Sequence, residues 1–416
     1  MKLALYQHQK DIINEDPKKC GIFYGTGSGK TLIALSLAQG RTLVICPKTQ
    51  RDDKNWQRQL EKMDKKLHLD VVSKEEFKRD YELYKKYDTI IMDEVHTMCG
   101  VSPSIVYRQK KPYPKTSQIF DACLDAVKFL GATRVYLCTA TPTRNPMAVY
   151  ALGLLLGRDW DFWKFRQIYY VPIKIGVCEI WMPKKDKETQ QRLGKCVRGL
   201  GYTGRLDQFM DVPEQSYKTI YVDLTDEQKK KLKDLPLDYP DPLVLCGKRN
   251  QVENGILCGD EFSKTEYFNT KKIEVILDLA IEFPQLVVFA KYRDQIEQIA
   301  ISLRKEGKKV LTLTGDTKDR GNVIEEANKS EDCVLIVSSQ ISAGWELPKY
   351  PCMVFASMSY SIVDRLQSEG RILRANHLKK NLYITLISKG DTVDEAVYKS
   401  IQNKQDFSEA IYSKVC

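Results

Sequence analysis

Histidine is scarce in this chain, with four among 416 residues, and none of the twelve cysteines belongs to a Cys-x-x-Cys pair. Those absences exclude the usual structural zinc patterns, which need paired cysteines or a Cys/His set at fixed spacing. Cys178, Cys196, Cys246 and Cys258 fall together in the middle of the chain and are the remaining candidates for a metal cluster, at a spacing that fits no known ligand pattern. Cys46, Cys138, Cys333 and Cys352 lie inside apolar, strand-like runs, where free cysteine behaves as a small buried hydrophobe. A reducing, cytoplasmic setting is expected. No apolar run approaches the roughly 20 residues of a spanning helix; the longest is near Val149 to Leu156. The opening Met1-Lys2-Leu3-Ala4-Leu5 gives way at once to Gln7, His8 and Gln9, so neither a secretory leader nor a membrane partner is expected. Low-complexity tracts and short repeats are also missing.

What remains is a chain long enough for two or three domains, each with its own core. It is 43% hydrophobic and 29% charged, as globular proteins are. Lysine and arginine outnumber aspartate and glutamate 65 to 55, a net +10. Beside a nucleotide site, a positive balance of this size points toward a nucleic-acid partner.

Gly25-Thr26-Gly27-Ser28-Gly29-Lys30-Thr31 supplies such a site. It follows the apolar run Gly21 to Tyr24 and precedes the helix-like stretch Leu32 to Ala38. Glycines let successive backbone N–H groups converge on one anion, Lys30 reaches the terminal phosphates, and the Thr31 hydroxyl faces a magnesium ion. The strict pattern has glycine where this chain has Tyr24, but the closing Gly-Lys-Thr and the strand-loop-helix context are intact. The buried-looking run Asp88 to Met92 ends in Asp93-Glu94-Val95-His96. A parallel sheet presents its ligand groups at the carboxyl ends of its strands. There Asp93 would hold the magnesium and Glu94 would polarise the attacking water, the two tasks that phosphoanhydride hydrolysis requires.

Residues 1–157 alternate strand-like runs (Gly21 to Tyr24, Thr42 to Cys46, Leu69 to Val72, Thr89 to Asp93, Val135 to Thr139) with amphipathic stretches. The rhythm breaks over 158–269, where aromatics, a basic stretch from Lys184 to Arg198 and clustered prolines suggest an irregular, partly helical connector. From 270 to 416 it returns, with strands near Leu286 to Ala290, Val310 to Thr314, Cys333 to Ser338, Met353 to Ala356 and Leu382 to Ile387. The expected fold class is therefore α/β, with two lobes of parallel sheet flanked by helices around an irregular middle.

Further along lie Thr139-Ala140-Thr141-Pro142-Thr143-Arg144-Asn145 and Gln367-Ser368-Glu369-Gly370-Arg371-Ile372-Leu373-Arg374. With the phosphate cradle and Asp93-Glu94-Val95-His96, they resemble in order and spacing the motor motifs of superfamily two helicases and translocases. Leu5-Tyr6-Gln7-His8-Gln9, Pro47 followed by Asn55-Trp56, Val212 to Gln228, Arg249-Asn250-Gln251 with Asn254, Thr314-Gly315-Asp316 with Arg320, and Ser338-Ser339 before Gly344-Trp345-Glu346-Leu347 resemble the Swi/Snf-type branch of DNA translocases. The form is a compact one of the kind carried by phages and bacteria. This chain departs from the branch pattern at Arg374-Ala375-Asn376-His377 and at Glu346, where asparagine is usual.

The resemblance implies two tandem RecA-like lobes and a nucleic-acid-dependent ATPase using ATP and Mg2+. It implies Gln9, with Gln7 as the alternative, at the adenine edge, Gly25 to Thr31 around the phosphates, and Thr31 and Asp93 at the metal. Lys30, Asp93, Glu94, Gln367, Arg371 and Arg374 would be catalytic, the arginines neutralising charge on the transferred group. Lys48, Asn55, Thr139, Thr141, Thr314, Ser338 and Ser339 would follow the phosphates of DNA without reading sequence. The expected partner is duplex or branched DNA rather than RNA, with room for an unidentified protein, and the motor is expected to act as a monomer. Three readings stay open: a duplex translocase, a strand-separating RNA or DNA helicase, which needs a wedge that the sequence does not reveal, and a nucleotide-gated DNA clamp that hydrolyses little. No aromatic-basic cluster stands out as a single-strand platform.

Overall fold

The computed structural model describes residues 5–412 except 64, 109, 143–144, 176–177, 260–263, 342–344, 360 and 375–378, and leaves undescribed the side chains of 108, 175, 178 and 404–412. Thr143, Arg144, Gly344, Ala375, Asn376, His377 and the Cys178 side chain, singled out above, lie outside that description. The expected pair of parallel sheets flanked by helices is present. One unit comprises Met1–Met210 with Asp406–Cys416, the other Asp211–Gln405.

In the first unit the strands are β1 (Lys19–Tyr24), β2 (Arg41–Cys46), β3 (His68–Ser73), β4 (Thr89–Asp93), β5 (Val101–Arg108), β6 (Lys111–Thr116), β7 (Arg134–Cys138), β8 (Tyr170–Ile175), β9 (Cys178–Pro183) and β10 (Gly201–Gly204). Six of them form one parallel sheet in the order β10-β1-β7-β4-β2-β3. Its four inner strands, β1, β7, β4 and β2, are buried along almost their whole length, with Ile22, Leu43, Ile45, Ile90, Met92 and Leu137 fully enclosed, as expected when helices cover both faces. The pairs β5–β6 and β8–β9 are antiparallel ribbons outside this sheet.

The second unit has β11 (Glu214–Val222), β12 (Ile256–Leu257), β13 (Glu266–Tyr267), β14 (Gln285–Ala290), β15 (Val310–Leu313), β16 (Cys333–Ser338), β17 (Cys352–Phe355) and β18 (Lys380–Ser388). Its parallel sheet runs β11-β18-β17-β14-β16-β15.

The stretch 158–269, expected to be a connector, is shared between the units. β10 joins the first sheet beside β1, and β11 joins the second beside β18. The first junction needs glycine, because a Cβ on Gly201 would stand 2.1 Å from the Gly21 carbonyl oxygen. The helical segment that follows β11 is held by a buried polar network. Asp394, at the start of the last helix, accepts from Asn250 Nδ2 at 3.0 Å and Asn254 Nδ2 at 3.1 Å, and pairs with Lys272 Nζ, which also donates to Asn254 Oδ1 at 2.7 Å and the Ala356 carbonyl at 2.9 Å. Gln228 Nε2 donates to the Val252 carbonyl at 2.7 Å, tethering helix Asp226–Asp238 to helix Pro242–Glu253. Asn250 and Asn254, part of the Swi/Snf-type resemblance in sequence, thus tie their helix to the last helix of the second unit, and Gln228 ties the preceding helix to theirs.

Lys272 and Asp394 are 1% and 3% exposed, so each relies on the other for its charge. Breaking a buried ion pair from one side costs about 3–5 kcal/mol. Lys272→Met is expected to lower the unfolding free energy by about that amount, read by urea titration of the full chain. A loss below about 1 kcal/mol would mean that the network contributes little to holding the segment.

Candidate active site

All strands of the first sheet point the same way, so their carboxyl ends share one edge. Cys138 of β7 sits level with Ile22 of β1 and with Asp93 of β4. The loops leaving these three adjacent strands are Gly25 to Gly29, Thr139 to Asn145, and Glu94 onward. β2 ends on the same edge, followed by Pro47 and the exposed Lys48 at the start of helix Lys48–Asp52.

The glycine loop turns through left-handed backbone at Gly27 (φ 84°) and Gly29 (φ 80°), then enters helix Lys30–Leu37. Ser28 is buried and its hydroxyl closes the loop on the Gly25 carbonyl at 2.8 Å. Lys30 Nζ lies folded over the cradle, donating to the carbonyls of Tyr24 and Gly25 at 3.0 Å each. Thr31 is half-buried in the first helical turn. At the far end of this helix, Lys65 Nζ donates to the Leu35 carbonyl at 3.0 Å, the Ala38 carbonyl at 2.6 Å and that of Ser36, satisfying carbonyls left unpaired at the C-terminus.

Helix Gln7–Glu15 holds the loop from outside. His8 Nε2 and Gln9 Nε2 both reach the Ser28 carbonyl, at 3.1 and 2.9 Å. Gln9 Oε1 accepts from the Tyr6 amide at 3.0 Å, while Gln7 is exposed and bonded to Asp11. The helix is clamped at its other end by Arg134, which grips both Asp16 oxygens at 2.7 and 2.8 Å. Tyr24 is buried against His8 and Phe209, with ring centroids 5.3 and 5.0 Å away. The large residue at this nominal glycine position therefore packs the loop's base.

Asp93 and Glu94 are both buried, and Glu94 adopts left-handed backbone at φ 47°. Asp93 Oδ1 accepts the Glu94 amide at 2.9 Å. Burial, reinforced by the neighbouring Glu94 charge, pushes the Asp93 carboxyl up to about 7, with Lys30 opposing the shift. Among the described residues Glu94 Oε2 has no hydrogen-bond partner; it is enclosed, 3.4 Å from His96 Nδ1. A buried carboxylate oxygen with no donor, next to a carboxyl strained toward neutrality, fits a hydrated divalent cation. Thr31 and Asp93 would hold that ion, and its charge would restore the ionised state of Asp93.

Thr139 requires a correction. Expected on the nucleic-acid track, it is fully buried, with its hydroxyl 2.9 Å from His96 Nδ1 and accepting the Thr141 amide at 3.1 Å. Thr141 is also buried. The Thr139 hydroxyl thus links the acidic segment to the loop after β7 and is taken up by those contacts, while the Thr141 hydroxyl is buried without a hydrogen-bond partner among the described residues. Asn145 likewise caps helix Pro146–Leu155, accepting the Ala148 amide at 2.9 Å. Lys48 and the half-buried Asn55 remain accessible. Trp56 and Trp345 are buried in the cores of their units.

In the second unit Thr314, Ser338 and Ser339 share the carboxyl edge, since Leu313 is level with Val337 and Ser338 with Ala290. Gln367 and Arg371 are buried, and Arg371 Nη1 is 3.4 Å from the Trp345 carbonyl. Arg374 Nη1 donates to the Leu373 carbonyl at 2.7 Å, and Nη2 pairs with Glu346 Oε1 at 2.6 Å. Glu346, conspicuous in sequence as a departure, is thus the counter-ion of a proposed catalytic arginine. Cys196 contacts the Tyr169 hydroxyl in the first unit, Cys246 and Cys258 belong to the second, and the described residues contain no group of three metal-ligating side chains.

Much of this second unit is matched by a family model. Residues 271–376 match the helicase conserved C-terminal domain. That helicase C-terminal segment contains Thr314, Ser338, Ser339, Glu346, Gln367, Arg371 and Arg374. A Methanocaldococcus jannaschii protein named "Putative ATP-dependent RNA helicase" is 28% identical over 140 residues, 32% of this chain. The match spans 18% of that relative's length. A solved structure described as the Sulfolobus solfataricus SWI2/SNF2 ATPase core in complex with dsDNA aligns over 99% of this chain and 94% of its own, at 19% identity and a TM-score of 0.43. Among the described residues, no helix is long and apolar enough to cross a membrane.

Two outcomes follow from the cradle's geometry. Lys30→Ala removes a half-buried cation whose contacts include the Tyr24 and Gly25 carbonyls, and is expected to leave the fold intact while ATP turnover falls at least 100-fold, a size typical of lost transition-state electrostatics. Glu94→Gln is expected to retain nucleotide affinity within about threefold and lose turnover to the same degree. Wild-type phosphate release from either folded variant would contradict the assignment.

Proposed function

We propose that this chain is an ATP-driven, helicase-like motor of superfamily two that moves along duplex or branched DNA. The observation carrying this reading is the common level of the glycine cradle and the Asp93-Glu94 pair, in a chain whose second unit contains a helicase C-terminal segment. Backbone amides of Gly27 to Lys30 and the Lys30 ammonium bind the phosphates, and Gln9 steadies the loop and meets the adenine edge. Magnesium supplies the counter-charge for the phosphates when held by Thr31 and Asp93. Glu94 orients the attacking water and takes its proton. His96, bonded to Thr139, fixes the side of Glu94 facing the loop after β7.

Arg371 and Arg374 act as the arginine fingers of this scheme, and Gln367 aligns them. A finger of this type contributes about 10³–10⁵ in rate. Because the cradle and the arginines are carried by different units, hydrolysis is tied to their relative movement. Lys48, Asn55, Thr314, Ser338 and Ser339 contact DNA phosphates, giving a grip indifferent to sequence. The motor works as a monomer in the cytoplasm, with duplex DNA preferred over RNA.

In this reading the Glu346 carboxylate competes with the phosphates for the Arg374 guanidinium. Arg374→Ala is expected to cut kcat by about 10³ or more with ATP affinity nearly kept. Glu346→Gln is expected to raise basal turnover without DNA several-fold, since only the competing charge is removed. Weakened ATP binding at unchanged maximal rate in Arg374→Ala would make the arginine structural.

The activity itself is tested by phosphate release with no nucleic acid, single-stranded DNA, blunt duplex and RNA, each at rising salt. Duplex should stimulate most, and its apparent affinity should fall steeply with salt as counterions are released. Best stimulation by RNA would favour the strand-separating helicase reading. Tight DNA binding without stimulated turnover would favour the clamp.

A further inference from the structure

The ribbon β5–β6 is used by no part of the mechanism above. Its sixteen residues, 101–116, contain Arg108, Lys110, Lys111 and Lys115 and no acidic residue, so they hold four of the chain's net ten positive charges. Lys110, Lys111 and Lys115 are exposed, and among the described residues none of the three has an ion-pair partner. Interleaved with them are Tyr107 and Tyr113, 70% and 43% exposed. Large aromatic rings are left in water here although the first unit's core is close by.

The register arranges these groups. Tyr107 is opposite Pro112, Val106 opposite Tyr113, and Arg108 opposite Lys111. Side chains alternate along a strand, so Lys111, Tyr113 and Lys115 lie on one face, each about 6.8 Å from the next. Tyr107 stands on the other face with Ile105, Pro112 and Pro114. Near its tip the ribbon therefore carries a tyrosine on each face, with lysines flanking the one on β6. At the root it is fixed: Val101 is in the core, the Ser117 amide donates to the Gly100 carbonyl at 2.7 Å, and Arg166 Nη1 donates to the Pro103 carbonyl at 3.1 Å. The root follows directly on the Asp93 to His96 segment.

We infer that this ribbon binds unpaired nucleotides at a DNA branch, with Tyr107 and Tyr113 stacking on exposed bases and Lys110, Lys111 and Lys115 on the neighbouring phosphates. A duplex buries its base faces and would use only the lysines, whereas an aromatic side chain stacks on any unpaired base and so needs no particular sequence. Charge complementarity and the absence of acids favour a polyanion over a protein. The inference rests on the DNA-motor reading and adds the aromatic-basic element that sequence patterning alone does not reveal.

The test compares binding of the full chain to a fork with single-stranded arms and to a blunt duplex of the same sequence, beside phosphate release on the blunt duplex. Tyr107→Ala/Tyr113→Ala is expected to weaken fork binding about tenfold or more, leaving blunt-duplex affinity within about twofold. Lys111→Ala/Lys115→Ala is expected to reduce the slope of log affinity against log salt on the fork by about 2, one per phosphate contact. Maximal turnover at saturating blunt duplex should be unchanged in both. Wild-type fork binding by both variants, or equal loss on fork and duplex in Tyr107→Ala/Tyr113→Ala, would overturn the assignment. A wild-type chain that binds the fork but shows no DNA-stimulated turnover would instead overturn the motor reading, while the variants still judge the ribbon.

Discussion

The parallel register of β1, β7 and β4 is the constraint on which the candidate site depends. Cys138 lies level with both Ile22 and Asp93, so the glycine loop, the Thr139 loop and the acidic pair leave the sheet together. A slip of one residue would turn every side chain in a strand to the opposite face, and burial on both faces forbids that. Fixing the strands by packing thus fixes the chemistry, and loops rich in polar groups need no core of their own.

Around this edge the chain spends its hydrogen bonds on rigidity. His8 and Gln9 share the Ser28 carbonyl, Arg134 anchors their helix through Asp16, and Lys65 caps the helix that starts at Lys30. Among the described residues, Glu94 Oε2, Thr141 Oγ1 and His8 Nδ1 are nonetheless buried without a hydrogen-bond partner, and burial pushes the Asp93 carboxyl up to about 7. Unsatisfied polarity beside a glycine loop and a perturbed carboxyl marks a place completed by a ligand.

Motifs confined to a few consecutive residues were legible in the sequence: the glycine loop, Asp93 to His96, and the long apolar strands of both sheets. Features made by distant partners were not. β10 is only Gly-Tyr-Thr-Gly, with no apolar run to announce it, and its place beside β1 rests on close backbone approach. Thr139 reads as a track residue because the motif resemblance puts it there, yet its partner His96 is 43 positions away and buries it. The pairing of Arg374 with Glu346 spans 28 positions and shows in sequence only as an unusual acid. Asn250, Asn254 and Asp394 meet across about 140 residues, which no local pattern encodes.

The central claim is that hydrolysis at this edge drives movement along DNA. Displacement of a third strand from a triplex measures that movement without requiring the duplex to open. The account predicts ATP-dependent release of the third strand by the wild-type chain, none with a non-hydrolysable ATP analogue, and none from Glu94→Gln. A third strand that stays bound while ATP is being hydrolysed on the same triplex would contradict it.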